Sequence, residues 1–446
     1  MRSHWIFFIA ALAQAQTQPP SAVMPLSLKR AVEIALSPEG NTRVQIAGEL
    51  IRQAETRSIQ ARSALLPNFD GSVSEQNAVR NLKAMGIDFS TAAAIPGVHF
   101  PTVVGPFNVF DIRVSGSQSV FDLSTIRRFQ SARTAVTAVR AEAQGTRNQV
   151  AEQVTRAYLA ALRTEATLNT ARANVELSEA LVRLANSQRT AGTGTGIEVT
   201  RAQVQLANDR QRVVVAENER ERTRLRLLRI IGLHLDGTID LTDKLDYKPT
   251  EVPELAAALK TAIGERPELE AQQVREKSAS LSYSATKWER LPSVGFFGDY
   301  GSTGTGPDAA IPTRTYGLSL RVPLFDGGRR DARRAESLSQ LRQERIRTHD
   351  LKEQIELDVR LAIESLRSAD AQVAAAREGV ELAERELTQA RRRYEAGVAN
   401  SIEVTDAQTR LQRARDNQIS ALFNHNLARI DLSTAMGTIQ QFVTAF

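Results

Sequence analysis

Few residues in this chain are arranged to do chemistry, and their spacing argues against catalysis. The five histidines, His4, His99, His234, His349 and His425, share no spacing that would place two imidazoles on one metal ion. With no metal site expected, they read as surface or interface residues, apart from His4 in the leader discussed below. Cysteine is absent, which excludes a disulfide framework and a lipid attached to a cysteine at a processed N-terminus. Serine, histidine and aspartate form no nucleophile motif. Gly192-Thr193-Gly194-Thr195-Gly196 has the glycine density of a phosphate loop. Such a loop follows a strand and, in its Walker form, carries a lysine; here a long helical pattern precedes and no lysine follows. No enzyme activity, cofactor or metal is expected. Glu198 and Glu403 keep two readings, one a favourable carboxylate in the first turn of a helix, the other a pore or docking role in addition.

Both glutamates belong to a motif the chain states twice. Ala191-Gly192, Ile197-Glu198-Val199-Thr200 and Ala202-Gln203 return as Ala396-Gly397, Ile402-Glu403-Val404-Thr405 and Ala407-Gln408, 205 positions later. Phe121-Asp122 returns as Phe325-Asp326 at 204, and Gly232 as Gly437 at 205. Loops drift in length whereas long helices in register do not, so these anchors mark a duplicated half-protein, well above the roughly 20–50 residue period of a solenoid. Leu66-Pro67 and Leu291-Pro292 stand 225 apart, which places extra length between Pro67 and Phe121 in the first copy, at an exposed turn.

The elements that carry the motif are long helices. Val359, Ala362, Leu366, Ala369, Val373, Ala376, Val380, Ala383, Leu387, Ala390 and Tyr394 alternate steps of three and four, a 3.5-residue period held over about five heptads. The same pattern, shifted by the repeat offset, runs from Val154 through Ser178, Val182 and Ala185 to Arg189. Every second seam position is small, so neighbouring helices can approach closely. No proline interrupts 124–191 or 329–396, and helices of that length span about 100 Å at ~1.5 Å per residue. Each is followed by a glycine turn and a return helix, 198–231 and 402–435. Ahead of each, the period changes to two. Tyr316, Leu318, Leu320, Val322 and Leu324 alternate with polar residues, as do Phe110, Ile112, Val114 and Val120. Strands are expected at 68–80, 108–121, 293–302 and 313–324, with Pro67 and Pro292 marking helix-to-strand switches. Four strands cannot close a bacterial barrel, which needs about eight, and open edges cannot sit in lipid, so further copies of the chain must close the sheet.

Composition fits an exported protein. Arg2, the apolar run Trp5–Leu12 and Ala13-Gln14-Ala15 read as a signal peptide cut after Ala15. No other segment offers the ~20 apolar residues of a spanning helix, and the mean hydropathy is −0.29. The net charge of +6 becomes +5 without Arg2. Because Arg and Glu interleave along the helices, as in Glu219-Arg220-Glu221-Arg222, the excess reads as solvated helix faces, with no nucleic-acid partner. The expected organisation is signal 1–15, first repeat 16–231, linker 232–253 and second repeat 254–446. Trp288, the one tryptophan left after processing, sits at a lipid boundary or between helices.

The order of leader, helix, Leu-Pro, strand pair, Leu324-Phe325-Asp326-Gly327-Gly328-Arg329, long helix, Arg393-Tyr394-Glu395-Ala396-Gly397 turn and return helix resembles the TolC-like outer membrane efflux protein family over essentially the whole mature chain. The resemblance implies a mixed α and β fold, a duplicated α-helical barrel of very long hairpins. Four strands per protomer contribute to a trimeric 12-stranded transmembrane β-barrel. It implies a homotrimer in the outer membrane, reaching through the periplasm to a periplasmic adaptor and an inner-membrane pump, and a passive exit duct of a tripartite efflux pump or type I secretion system. The tips Ala191, Gly192, Thr193, Ala396, Gly397 and Val398 would dock the adaptor. Tyr394, Glu403, Asp406 and Glu198 would line the gate, and Pro67, Pro292, Phe325, Asp326, Gly327 and Gly328 would form the helix–strand junctions. Ala399 stands where some members carry a gate-locking arginine, and Arg201 stands opposite Asp406 in the repeat, so any lock must use other partners. The competing reading is a secreted or periplasmic trimeric coiled-coil scaffold or adhesin with a globular head.

Overall fold

Duplication is visible in the element order of the computed structural model, which describes residues 23–86 and 102–446. The expected leader, and the part of the extra length between Pro67 and Phe121 that holds Pro96 and Pro101, lie outside these residues. After a short strand β1 (Met24–Leu26) come helices α1 (Leu28–Leu36) and α2 (Thr42–Ser63), strands β2 (Asn68–Asn81) and β3 (Val103–Phe121), and helices α3 (Leu123–Thr190) and α4 (Gly196–Ile231). Strand β4 (Ile239–Leu241) follows. The series then repeats as α5 (Leu255–Glu265), α6 (Pro267–Trp288), β5 (Ser293–Gly304), β6 (Ile311–Arg321), α7 (Arg329–Glu395) and α8 (Ser401–Ala435), ending in α9 (Ile439–Ala445). The chain divides into two compact units, each drawing on both sequence halves: 48–143 with 267–352, and the remainder.

In the first of these units one antiparallel sheet runs in the order β2-β3-β5-β6. Its strands of 14, 19, 12 and 11 residues reach or exceed the ~9–11 needed to cross a bilayer at a tilt. Side chains alternate as period two requires. Val73, Ile112, Val114, Tyr300, Tyr316, Leu318 and Leu320 are all exposed in the protomer, while Ser72, Arg113, Ser115 and Asp299 occupy the other face by register. The strand expected to reach residue 324 stops at Arg321, because Pro323 has no N–H to give a ladder. Strand β3 starts five residues earlier than expected. Pro106 is accommodated beside a register shift at Ala78/Arg80, the kind of irregularity at which a strand tolerates proline. The corresponding loop of the second copy, which lacks the extra length, is tight, because β5 extends to Gly304 and β6 starts at Ile311.

Helix starts are fixed by a repeated aspartate. Asp122 accepts from the backbone N–H of Ser124 (2.9 Å) and Thr125 (3.2 Å) at the head of α3. Asp326 accepts from that of Arg330 (3.1 Å) at the head of α7. Free N–H groups there need such an acceptor. Gly327 and Gly328, at φ +67° and +85°, form the turn between β6 and α7.

The other unit holds the main core, in which Leu26, Leu28, Val150, Val154, Leu159, Leu227, Leu228, Ile231 and Ile430 are essentially inaccessible. Tyr158 ties it together. Its hydroxyl donates to the Leu26 carbonyl (2.8 Å) and to Asp243 (2.7 Å), which also accepts from the Leu28 N–H (2.9 Å). Burial and the Asp243 carboxylate both push that phenol's pKa up. β1 pairs in parallel with β4, Met24 opposite Ile239. His425, expected at a surface or interface, is instead fully buried: Nε2 lies 3.0 Å from Asp370, and the ring packs on Tyr247 at 4.8 Å. The seam of α7 matches the 3.5-residue pattern: nine of its eleven positions from Val359 to Tyr394 are buried, and Ala376 and Val380 are half-buried. In α3 the seam departs from the transferred pattern beyond Leu168. Asn174 and Leu181 are buried and Gln188 half-buried in place of Val175, Val182 and Arg189, which keeps the Arg189 charge out of the contact. Exposed ion pairs repeat with the duplication: Arg210–Glu179 at 2.9 Å joins α4 to α3, and Arg415–Glu384 at 3.0 Å joins α8 to α7. Each contributes at most ~1 kcal/mol and reports register more than stability.

Two repeated glycines close this unit. Gly232 (φ +84°) ends α4 where a Cβ would meet the Gly40 carbonyl at 2.8 Å, and Gly437 (φ +78°) follows α8 where it would meet Glu265 backbone at 2.8 Å. Left-handed backbone without glycine costs about 1 kcal/mol or more, and backbone crowding adds to it. Gly232→Ala and Gly437→Ala should each lower the thermal midpoint of the purified protein measurably, while Gly379→Ala, with open space around its Cβ position, should leave it unchanged or raise it.

Candidate functional site

Sequence identity between the two hairpin turns becomes identity of backbone. At the end of α3, the Gly192 N–H donates to the Arg189 carbonyl (3.1 Å) and the Thr193 N–H to that of Gln188 (3.0 Å). At the end of α7, Gly397 N–H donates to Tyr394 (3.0 Å) and Val398 N–H to Arg393 (3.0 Å). This is the paired closure of a helix C-terminus around a left-handed glycine, and Gly192 and Gly397 sit at φ +76° and +72° with open space at the Cβ position. Ala191, Gly192, Thr193, Ala396, Gly397 and Val398 are all exposed. The return helices start differently. Asn400 caps α8, accepting from Ile402 and Glu403 N–H at 3.1 and 3.3 Å. At α4, Glu198 accepts from the Thr195 N–H at 2.9 Å, so its carboxylate serves the helix start.

Tyr394 lies in the seam just before the second turn, packed with Leu181, Leu387, Ala390, Val404, Ala407 and Leu411. Its carbonyl accepts from Gln188 Nε2 at 3.2 Å, a direct tie between the two tips. Its hydroxyl is buried without a hydrogen-bond partner among the described residues and shares a small cavity with Ser401, Gln408 and Glu198. Burial, then the Glu198 carboxylate, pushes the phenol's pKa upward. Glu403 pairs with Arg393 across the second turn at 3.0 Å. Asp406 is exposed. Tyr394 and Glu198 are thus brought together, Glu403 is paired with Arg393, and Asp406 stands apart from both. The junction residues fall elsewhere in the chain: Pro67 and Pro292 directly precede β2 and β5, and Phe325 is 90% exposed between β6 and α7.

Sequence reasoning missed the buried polar chain above the tips. Ser178 Oγ donates to Asp209 Oδ2 at 2.5 Å and accepts from Gln408 Nε2 at 2.7 Å. Gln205 Nε2 approaches both Asp209 oxygens at 3.1–3.2 Å, and Arg212 reaches Asp209 at 3.3 Å and also bonds Gln412. Asp209 is 1% exposed. This chain binds α3, α4 and α8. Its signal was present: Asp209 stands seven residues before the buried Ala216 and fourteen before Thr223, a charge on a seam position. Ile197 and Ile402, exposed at equivalent repeat positions, were also unremarked beside their glutamates.

Comparison with known proteins follows from this geometry. The family model described as outer membrane efflux protein matches residues 40–233 and 258–438. The pyoverdine export outer membrane protein OpmQ of Pseudomonas putida is 24% identical over 88% of this chain and 82% of its own. The alkaline protease secretion protein AprF of Pseudomonas aeruginosa is 21% identical over 84% and 82%. Among solved structures, the Campylobacter jejuni CmeC outer membrane channel superposes with a TM-score of 0.78 at 16% identity, over 92% of this chain and 85% of that one, which supports the fold. The chain belongs to the outer membrane efflux protein family. It is an outer membrane channel and not an enzyme, and the scaffold or adhesin alternative falls away.

In the second repeat, Ala383 and Ala414 occupy the positions of Ser178 and Asp209. An apolar pair is therefore compatible with this packing, whereas one unpartnered buried polar group costs about 1–3 kcal/mol. Asp209→Ala should lower stability by that amount, and Ser178→Ala with Asp209→Ala should lower it less than Asp209→Ala alone. A double-mutant cycle on thermal or denaturant midpoints reads the sign; additive losses would contradict the coupling.

Proposed function

We propose that this member of the outer membrane efflux protein family works as the passive exit duct of a tripartite efflux pump or type I secretion system. In this reading it assembles as a homotrimer whose hairpin tips receive a periplasmic adaptor attached to an inner-membrane pump. The observation that carries the docking role is the state of the two tips. Each presents an open left-handed glycine with an exposed apolar residue next to it, Ile197 at one and Val398 and Ile402 at the other. Open backbone lets a partner's helices come close, and exposed apolar groups reward the approach. The two repeats, 16–231 and 254–446 around the 232–253 linker, supply the alternating tips.

The gate follows from the contacts beside them. Gln188 to Tyr394 holds tip to tip, and Arg393 to Glu403 holds the second turn closed. Both use partners other than Arg201 and Ala399, at which the chain departs from the lock known in related members. With Glu403 paired, Asp406 is the freer carboxylate, and three copies of it would ring the entrance. Cargo is set by the pump: one relative is named for pyoverdine export and another for alkaline protease secretion, in keeping with a duct that does not choose.

Lipid cannot satisfy the outer edges of β2 and β6, so the protomer should not persist alone; native mass spectrometry in detergent should show a trimer, and a dominant monomer would refute the assembly. Gly397→Trp should abolish adaptor capture and efflux while leaving the trimer intact. Glu403→Lys with Asp406→Lys should instead change cation preference in a planar bilayer, because a charge repeated around a pore acts on every passing ion. Unchanged efflux in the first variant, or unchanged selectivity in the second, would remove the corresponding assignment.

A further inference from the structure

Charge is unevenly placed on the polar face of the sheet, and one arginine there is immobilised. Arg113 on β3 donates through Nε to Asp111 Oδ1 (2.7 Å), through Nη2 to Asp111 Oδ2 (2.5 Å) and through Nη1 to Asp299 Oδ1 on β5 (2.8 Å). All three nitrogens of the guanidinium are engaged. Register explains how it gets there: Arg113 stands opposite Gly301, and a Cβ on that residue would collide with Arg113 Cβ and the Ile112 carbonyl. The arginine therefore lies flat across the neighbouring strand, and its side chain is 30% exposed. Asp70 on β2 reaches the same level and face, opposite Ser115, which in turn pairs with Asp299. Unlike the other two carboxylates Asp70 has no cation among the described residues; Asn68 Nδ2 donates to it at 2.9 Å, and it is exposed.

Asp111 stands four positions along β3 from Ser115, about 13 Å, so three carboxylates against one guanidinium leave two net negative charges per protomer across that band. The next basic residues on the face by alternation are Arg321, six positions along β6 from Thr315, the partner of Asp299, and Arg80, six along β2 from Ser74, the partner of Asp111. Six strand residues span about 20 Å, roughly two Debye lengths at physiological salt, so neither arginine cancels them.

We propose that Asp70, Asp111, Asp299 and the wall-bound Arg113 form a cation-favouring belt inside the barrel, a specificity-determining element separate from the helical entrance. This rests on the trimeric duct: the apolar face meets lipid, the polar face lines water, and three copies place six net negative charges within one band of the wall. Fixed rings of this kind set ion preference in pores. Arg113 is withheld from passing anions only while both carboxylates hold it. Removing Asp299 therefore does more than delete one charge, because it frees the guanidinium to extend into the lumen.

The test uses purified full-length trimers in planar bilayers under a KCl gradient. Asp70→Asn should lower the potassium-to-chloride permeability ratio, by about two-fold for a ring charge. Asp299→Asn should lower it further, and Arg113→Gln should raise it. Spermine added from the barrel side, which reaches the belt without crossing the helical entrance, should block less in the first two variants and more in the third. Asp70 is exposed and its variant should fold even if a change at the ion-paired residues disturbs the sheet. Conducting trimers in which Asp70→Asn changes neither permeability ratio nor spermine block would overturn the belt. Equal shifts for Asp70→Asn and Asp299→Asn in heat-resistant trimers would overturn the release of Arg113. A wild-type protein that forms no conducting pore would instead overturn the duct on which the proposal rests.

Discussion

Backbone hydrogen bonds that cannot be left unmade in lipid are the constraint from which the rest of this protein follows. Strands β2 and β6 each pair on one side only within the protomer, and an unsatisfied amide or carbonyl in hydrocarbon costs several kcal/mol. The protomer is therefore half of a solution. Exposed apolar residues such as Tyr316, Leu318 and Leu320, which would be a liability on a soluble monomer, are what a membrane-facing wall requires. The same constraint accounts for duplication: two strand hairpins, joined as β3 to β5, make a contribution that three copies can close into a barrel.

A second requirement is register over very long helices. Helices of 67 and 68 residues packed against return helices of 35 and 36 tolerate no insertion on one side alone, which is why the 205-residue offset survives from the Ala-Gly turns to Gly232 and Gly437. Small seam residues in α7 let helices approach, and the repeated pairs Arg210–Glu179 and Arg415–Glu384 keep the same phase in both hairpins. Ser178 and Asp209 put polar groups into the contact of the first hairpin where the second has Ala383 and Ala414, and Gln408 of α8 completes their chain. The two hairpins are thus equivalent in backbone and different in the chemistry of their contact.

Legibility from sequence was high wherever period and offset carry the information. Helix limits at 196–231 and 401–435 fell within two residues of expectation, because glycine turns and capping residues mark them. The α7 seam was legible because its pattern is unbroken. It failed in α3 beyond Leu168, where transferring positions from the second copy ignored that Arg189 resists burial while Leu181 favours it. Buried His425 and the Asp209 chain were missed because a polar residue on a helix does not announce its partners, which here include Asp370, 55 residues from His425, and Gln408, 230 residues from Ser178. Among the tip residues, the turn geometry could be read from glycine placement. Glu198 serves the start of α4, one of the two readings its place in the first turn offered, whereas the pairing of Glu403 with Arg393 depends on rotamers that spacing does not encode.

The parallel pairing of β1 with β4 has a temporal meaning. Met24 meets Ile239, and the Leu28 amide meets Asp243, across 215 residues of chain. Contacts this distant in sequence form late, since loop closure must precede any reward. A segment that emerges near the beginning of the chain must then wait, its partners still unmade, until the first repeat and the start of the linker have followed it. The Tyr158 hydroxyl, gripping both Leu26 and Asp243, closes that wait. In an exported chain the N-terminal strand would be among the last pieces to settle, and its docking would mark the moment at which the first repeat becomes a finished unit.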